Sequence, residues 1–299
     1  MKCDLHVHTR YSGKCHIPVL KRICRESYND PETAYRTLKQ RGMDLVTITD
    51  HDSIDAAESL RHYPDFFLSE EVTVAMPSGC EMHVGVYDIN ERQHGEIQRR
   101  RNDLTSLVVY LQEQRLFFSA NHVFSGLTGR RTVEDFEAFE QLFPGLETLN
   151  GCMLGRANEA AAALAARLGR SGLGGSDAHA HATLGSAWTE APGARTRQEF
   201  LASLRSGDTR TGGTSGNYFR LTRDIFSIGG GMVLESPATA PVALLGVLVP
   251  LITLINYWKE AVFVRQWAHR AHRALPRLGE GALPGAAIPV AALAEEVAA

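Results

Sequence analysis

Asp4-Leu5-His6-Val7-His8-Thr9 is the stretch on which the reading of the chain turns. In a strand, side chains alternate with period two, so His6 and His8 project from one face. Two imidazoles side by side form a chelating pair, and neutral imidazole is the commonest protein ligand for zinc-like ions. Such a pair alone carries little weight. Working outward, residues of the same types recur at the ends of later apolar runs: Asp50-His51, Glu71, Glu81-x-His83, His122 and Asp177-x-His179. The rest of the chain is then read as the scaffold that brings them together.

At 299 residues the chain can bury a sizeable core as one large domain, or as one domain plus an appendage. A formal net charge of -3 gives no basic excess, so charge offers no support for non-specific nucleic-acid binding. The five cysteines form no CxxC pair and are odd in number, which reads as reduced intracellular thiols. The start shows no charged segment followed by an apolar one, so no secretory signal is expected and the catalytic part is expected in the cytoplasm.

Residues 1–212 alternate short apolar runs with helical patterns. Lys2 to Val7 is the first expected strand. Asp30-Pro31-Glu32 starts a helix with Pro at its first position, and Gly42 ends it. Leu45 to Thr49 is too uniformly apolar for a one-sided sheet and predicts a buried parallel strand. Ser53 is expected to cap a short helix over Ile54 to Leu60. Strands follow at Phe66 to Val74 and Met82 to Tyr87, then one helix over Glu96 to Gln114. Leu116 to Phe118 and Gly145 to Leu149 are further strands, with helices headed by Thr132 and Arg156 and a last one after Thr196. Metal-type residues just after so many strands predict a (β/α) barrel, whose active sites collect at the C-terminal ends of the strands.

Read as an ordered set, these blocks resemble the PHP (polymerase and histidinol phosphatase) superfamily. The blocks are Asp4 to Thr9, Ile48-Thr49-Asp50-His51-Asp52, Glu71, His83-Val84-Gly85, Asn121-His122 and Gly175-Ser176-Asp177-Ala178-His179, spanning about the first 210 residues. The resemblance implies a distorted (β/α)7 TIM-like barrel of α/β class and a centre of two or three divalent ions, Mn, Zn or Fe. It also implies phosphoesterase activity on a phosphomonoester or nucleotide, with a nuclease or exonuclease on the same centre as the alternative. Carried over by position, His6, His8, Glu71 and Asp177 hold one ion, and His51 and His179 belong to a second. Glu71 bridges to a third held with His83 and His122, and Glu81 is the rival for that bridging role. Asp50, His51 and Asp177 are the residues expected to carry the chemistry, with Asp50 orienting an imidazole or moving a proton.

One departure stands out. The family usually has an acidic or histidine ligand in a Tyr-Ser-Asp-Gly after the first block, whereas this chain reads Tyr11-Ser12-Gly13-Lys14-Cys15-His16. The second ion is then weaker, completed by water, or served by Cys15 or His16, and Lys14 becomes a candidate phosphate binder. Arg156 at a helix start, Arg130 beside Arg131, and His181 are the other candidates for holding substrate, each with a surface role as the plainer reading.

The chain divides into a PHP-type domain at 1–212, a Gly-rich linker at 213–235, an apolar then basic helical segment at 236–275 and an Ala/Pro-rich tail at 276–299. Ser236 to Trp258 contains no charged residue, which is long enough to cross a bilayer. A membrane anchor is expected there, and a membrane-tethered metal-binding module with little catalysis is the rival for the whole chain. Pro241 and Pro250 interrupt the stretch, and a buried or dimer-forming helix is the other reading of the segment.

Overall fold

The computed structural model describes residues 1–15, 20–127, 129 and 131–274. In chain order the elements are β1 Lys2–Cys3, α1 Pro31–Gln40, α2 Ala57–Leu60, β2 Ser69–Ala75, β3 Glu81–Tyr87, α3 Glu91–Arg100 and α4 Leu104–Glu113. Then come β4 Phe117–Ala120, α5 Val133–Leu142, β5 Gly145–Asn150, α6 Gly155–Leu168, β6 Ser171–Gly175 and β7 Ala187–Glu190. The chain continues with α7 Arg197–Ser206, β8 Arg210–Gly213, α8 Tyr218–Glu235, α9 Ala240–Ala243 and α10 Val249–Ala274. Local chemistry sets many of these ends. Asp30 caps α1 by accepting from the Thr33 N–H, and Pro31 occupies the first turn. Gly169 closes α6 in the left-handed conformation, and Thr196 with Glu199 forms a capping box on α7.

The strands form two sheets, one of five strands in the order β2-β3-β4-β5-β6 and one of three in the order β1-β7-β8. In the larger sheet β2, β3 and β4 run antiparallel, while β4, β5 and β6 run parallel. The α/β class is as expected, but the sheets are not closed into a barrel. Of the strands expected at Lys2 to Val7 and Leu45 to Thr49, only Lys2–Cys3 forms one; residues 4–9 and 45–51 lie between β6 and β2 and make isolated bridges: Val7 with Ala178, Val46 with Phe66, and His51 with Glu71. Side chains interleave there with backbone bonds such as that from the Thr49 N–H to the Val7 carbonyl at 2.9 Å. The Val7 N–H donates to Thr49 Oγ1 at 2.9 Å, and Thr9 donates through N–H and hydroxyl to Asp50. Asp4 accepts from the backbones of His6, Ser176 and Gly185. Short polar side chains that bond the backbone locally compete with regular structure in this way.

Three further expectations change. The helix predicted over Glu96 to Gln114 is two, because Asp103 accepts from the Ser106 N–H and starts α4 afresh. Ser53 does not cap α2, which begins at Ala57; its hydroxyl accepts from Asp55 N–H instead. The Gly-rich linker expected at 213–235 is mostly the helix α8, capped by Asn217. Its glycines do not break it, and at Gly231 the missing side chain admits the Tyr28 ring, where a Cβ would lie 2.5 Å from the ring.

The largest apolar core lies between the five-stranded sheet and helices α3 to α6, and it includes Val264 and Trp267 of α10. Trp267 stacks on Phe136 of α5 with ring centroids 5.4 Å apart. The second half of α10 is therefore part of the domain's core and not an appendage.

Candidate metal centre

The ligand-type residues converge where β2, β3, β4, β5 and β6 meet the two irregular segments. Glu71 on β2 is fully buried, and five imidazoles face its carboxylate. His6 Nε2 is 3.1 Å from Oε1, His51 Nδ1 3.2 Å from Oε2 and His8 Nε2 3.4 Å from Oε2. His122 Nε2 lies 3.4 Å and His83 Nδ1 3.7 Å from Oε1. On the other side Asp177 presents Oδ1 to His8 at 3.3 Å, to His179 at 3.4 Å and to His6 at 3.5 Å.

The outward nitrogens of the first two histidines are tied down. His6 Nδ1 is 2.8 Å from Glu147 Oε1, and His8 Nδ1 is 2.8 Å from Ser12 Oγ. Such partners fix the ring orientation and tautomer of a metal-binding histidine, leaving the other nitrogen for the ion. Glu147 Oε2 also accepts from the His122 backbone N–H at 2.9 Å, so one buried carboxylate orients two imidazoles. Asp177 and His122 both have positive φ, 52° and 31°. Non-glycine residues held in that region cluster at functional sites.

His6 Nε2, His8 Nε2, His51 Nδ1 and Glu71 Oε2 are buried with no hydrogen-bond partner among the described residues. Buried polar atoms are nearly always paired, so four orphans facing a common space are what a cation site presents before its ion is placed. Four triads have ligand atoms mutually within 4.8 Å: His6-His8-Asp177, His8-His51-His179, His6-Glu71-His122 and His51-Glu71-His83. The mixed imidazole and carboxylate set suits Mn, Fe or Zn.

Electrostatics agree with a site built for positive charge. Burial, followed by His179, pushes His8 down to about 3, so it stays neutral and able to ligate. Burial works to raise Glu71 and Asp177, but the surrounding histidines hold both well below the usual carboxylate range.

Comparison with known proteins fits this geometry. A family model described as PHP-associated matches residues 155–209, a stretch that contains Asp177 and His179. A two-domain protein from Bacteroides vulgatus, containing a predicted PHP-like metal-dependent phosphoesterase, superposes with TM-score 0.53 at 15% identity, over 76% of this chain and 69% of that one. The two share an α/β fold. PsfC from Pseudomonas syringae has the same fold, with TM-score 0.55 at 20% identity, covering 77% of this chain and 98% of its own. An uncharacterized protein of Methanocaldococcus jannaschii is 41% identical over 54 residues, which are 18% of this chain and 30% of that relative's length.

Within this fold, all eight residues expected as ligands come together. Glu81, the rival to Glu71, begins β3 exposed to solvent and is out of the role. Two acids were missed by the sequence reading. Glu147, inside β5, belongs to no motif block. Glu26 is the other: its Oε2 lies 3.6 Å from His51 Nε2 and its Oε1 3.7 Å from His179 Nε2. Its N–H donates to the Gly13 carbonyl at 3.2 Å, and Lys14 and Arg25 form an antiparallel bridge beside it. The chain returning to Gly13 thus delivers a carboxylate beside His51 and His179. Burial works to raise Glu26, but His179 overrides it and holds the acid at about 2.

The other expectations fare differently. Asp50 is not among the grouped ligands; its carboxylate is occupied by Thr9, and burial raises it to about 7. It braces the two irregular segments against each other. His181 Nε2 is bonded to Thr37 of α1 at 2.7 Å, a packing contact. Arg156 is exposed in the first turn of α6, Lys14 is exposed on the hairpin that carries Glu26, and Arg130 lies outside the described residues.

Proposed function

We propose that the chain is a metal-dependent phosphoric ester hydrolase acting on a phosphomonoester or nucleotide. The observation that carries this is the set of orphaned imidazole and carboxylate atoms around Glu71, within a PHP-type fold. His6, His8 and Asp177 would hold one ion, His51, His179 and Glu26 a second, and His83 and His122 a third, with Glu71 shared among them. Two or three divalent ions, when bound, supply an activated water and neutralise charge on the phosphoryl group. The chain's own part is positional. Glu147 and Ser12 hold the outer nitrogens of His6 and His8 and so aim the inner ones toward the shared space. Asp4 and Asp50 tie the segment carrying both histidines to its neighbours through backbone N–H groups. Lys14, on the same hairpin as Glu26, is the cation assigned to the substrate's phosphate.

The purified chain, loaded in turn with Mn, Zn or Fe, should release phosphate from an aryl phosphate or a nucleoside monophosphate. Absence of release with every metal, on these and on an oligonucleotide, overturns the proposal. Shortening of the oligonucleotide without monoester hydrolysis would replace it with a nuclease.

A further inference from the structure

From residue 236 to 258 no charged side chain interrupts the sequence. The helical stretch containing it has a segment of mean hydropathy 2.3 that is only 11% buried. Its pattern is inverted relative to a core helix. Leu244, Val247, Leu251, Leu254, Ile255 and Trp258 face outward, while the polar Thr253 is 3% exposed on the inner side. On α8, Phe219 and Leu234 extend the apolar surface, and Phe226 meets Gly246 of the returning chain. Contiguous exposed apolar surface of this extent marks an interaction site.

The chemistry at the edge of the patch identifies what covers it. Trp258 stands where the apolar run ends, and Lys259, Arg265 and Arg270 follow it exposed on the same helix. Apolar side chains, then an indole, then cations is the order of a helix lying at a bilayer whose headgroups are anionic.

The way the segment is tied to the domain decides between crossing the bilayer and lying in its surface. Before the apolar run, α8 is fixed along its length: Arg220 donates to the Gly151 carbonyl at 2.9 Å, Asp224 accepts from the Thr183 hydroxyl, and Glu235 pairs with Arg25 at 2.6 Å. After it, Glu260 accepts from the Gly126 N–H at 3.1 Å and Trp267 stacks on Phe136. Both ends are held by one domain, so the chain enters and leaves on one side.

We propose that the layer formed by α8, α9 and α10 docks the protein on an anionic lipid surface as an interfacial element that does not span it. The domain turns it grips follow His122, Asn150 and His179 and precede Glu26, so the inner side of this layer packs on turns that flank the candidate metal centre. This does not rest on the hydrolase reading.

The full chain should float with preformed vesicles of phosphatidylcholine containing phosphatidylglycerol. It should bind about tenfold more weakly without the anionic lipid, and less as salt rises. Leu251→Glu with Leu254→Glu should abolish flotation; both sites point away from the packed side, and an unchanged melting temperature checks the fold. Trp258 fluorescence should shift to the blue on vesicle addition, and alkaline carbonate should release the protein. The proposal is overturned by absence of binding to either vesicle, or by retention after carbonate. It is also overturned by a dimer in solution that the double substitution dissociates, which would make a second copy the occupant.

Discussion

Glu71 receives five imidazoles, so its two oxygens are the geometric centre of the site. Glu71→Gln keeps the shape and removes the charge. Metal content measured on the purified variant is expected to fall, and hydrolysis to drop by more than about a hundredfold, since ligand-orienting partners alone are worth about 10–100-fold. Glu26→Gln separates the second ion from the rest: metal bound per chain should fall by about one equivalent while His6, His8 and Asp177 still load. The same pair sets a pH signature in the metal-free chain. Burial opposes both charges, yet Glu26 is held at about 2, below its ordinary 4.5, and His179 is raised to about 9, above its ordinary 6.5. A depressed acid stabilises above its unfolded value and loses that contribution as pH falls; a raised histidine stabilises below its unfolded value and loses it as pH rises. Melting temperatures taken with chelator present should therefore separate wild type from Glu26→Gln most between about pH 4.5 and 6.5. The gap should close toward about 2 and about 9. A gap independent of pH would contradict the pairing.

Elements explain why some of this was readable and some not. Helix caps at Asp30 and Thr196 are local chemistry, and the sequence places them correctly. The segments 4–9 and 45–51 have strand-like composition and pair through some backbone bonds, but the side chains of Asp4, Thr49 and Asp50 interrupt the ladder, a tertiary fact that no periodicity records. Ligands were legible because they fall in the ordered motif blocks, even where, like Glu71 and His83, they sit inside a strand; Glu26 and Glu147 lie outside every block and only the tertiary fold brings them to the imidazoles. The close approach of β6 to the first histidine also escapes the pattern. A Cβ on Gly175 would lie 2.3 Å from His6 Cβ and 2.6 Å from its backbone nitrogen. Gly175→Ala should cost about 1–3 kcal/mol by overpacking and displace His6, lowering metal content together with the melting temperature. Gly95→Ala, in α3 with nothing near its Cβ, is the control and should stabilise by about 0.5–1 kcal/mol.

At the scale of the molecule, the segment after residue 213 is structural as well as exposed. The sequence marks it by composition and suggests a separable appendage, because apolar runs look alike whether they face lipid or core. The structure divides it: outward apolar residues through Trp258, then Glu260, Val264 and Trp267 packed on the domain. Trp267→Ala removes the ring stacked on Phe136 and should cost about 3–5 kcal/mol in chemical denaturation. Truncation at residue 236 should be worse, exposing the surfaces of α5 and α6 that α10 covers.

A carboxylate held in common by several cations makes their affinities interdependent. Filling one position withdraws electron density from the oxygen its neighbour needs, while also assembling the imidazoles around it. Stepwise titration of the apo-protein should accordingly yield curves that no sum of independent sites can fit. On the proposed multi-ion reading, exchanging the element at one position should retune the others, and metal preference would be a property of the whole cluster and not of single ligands.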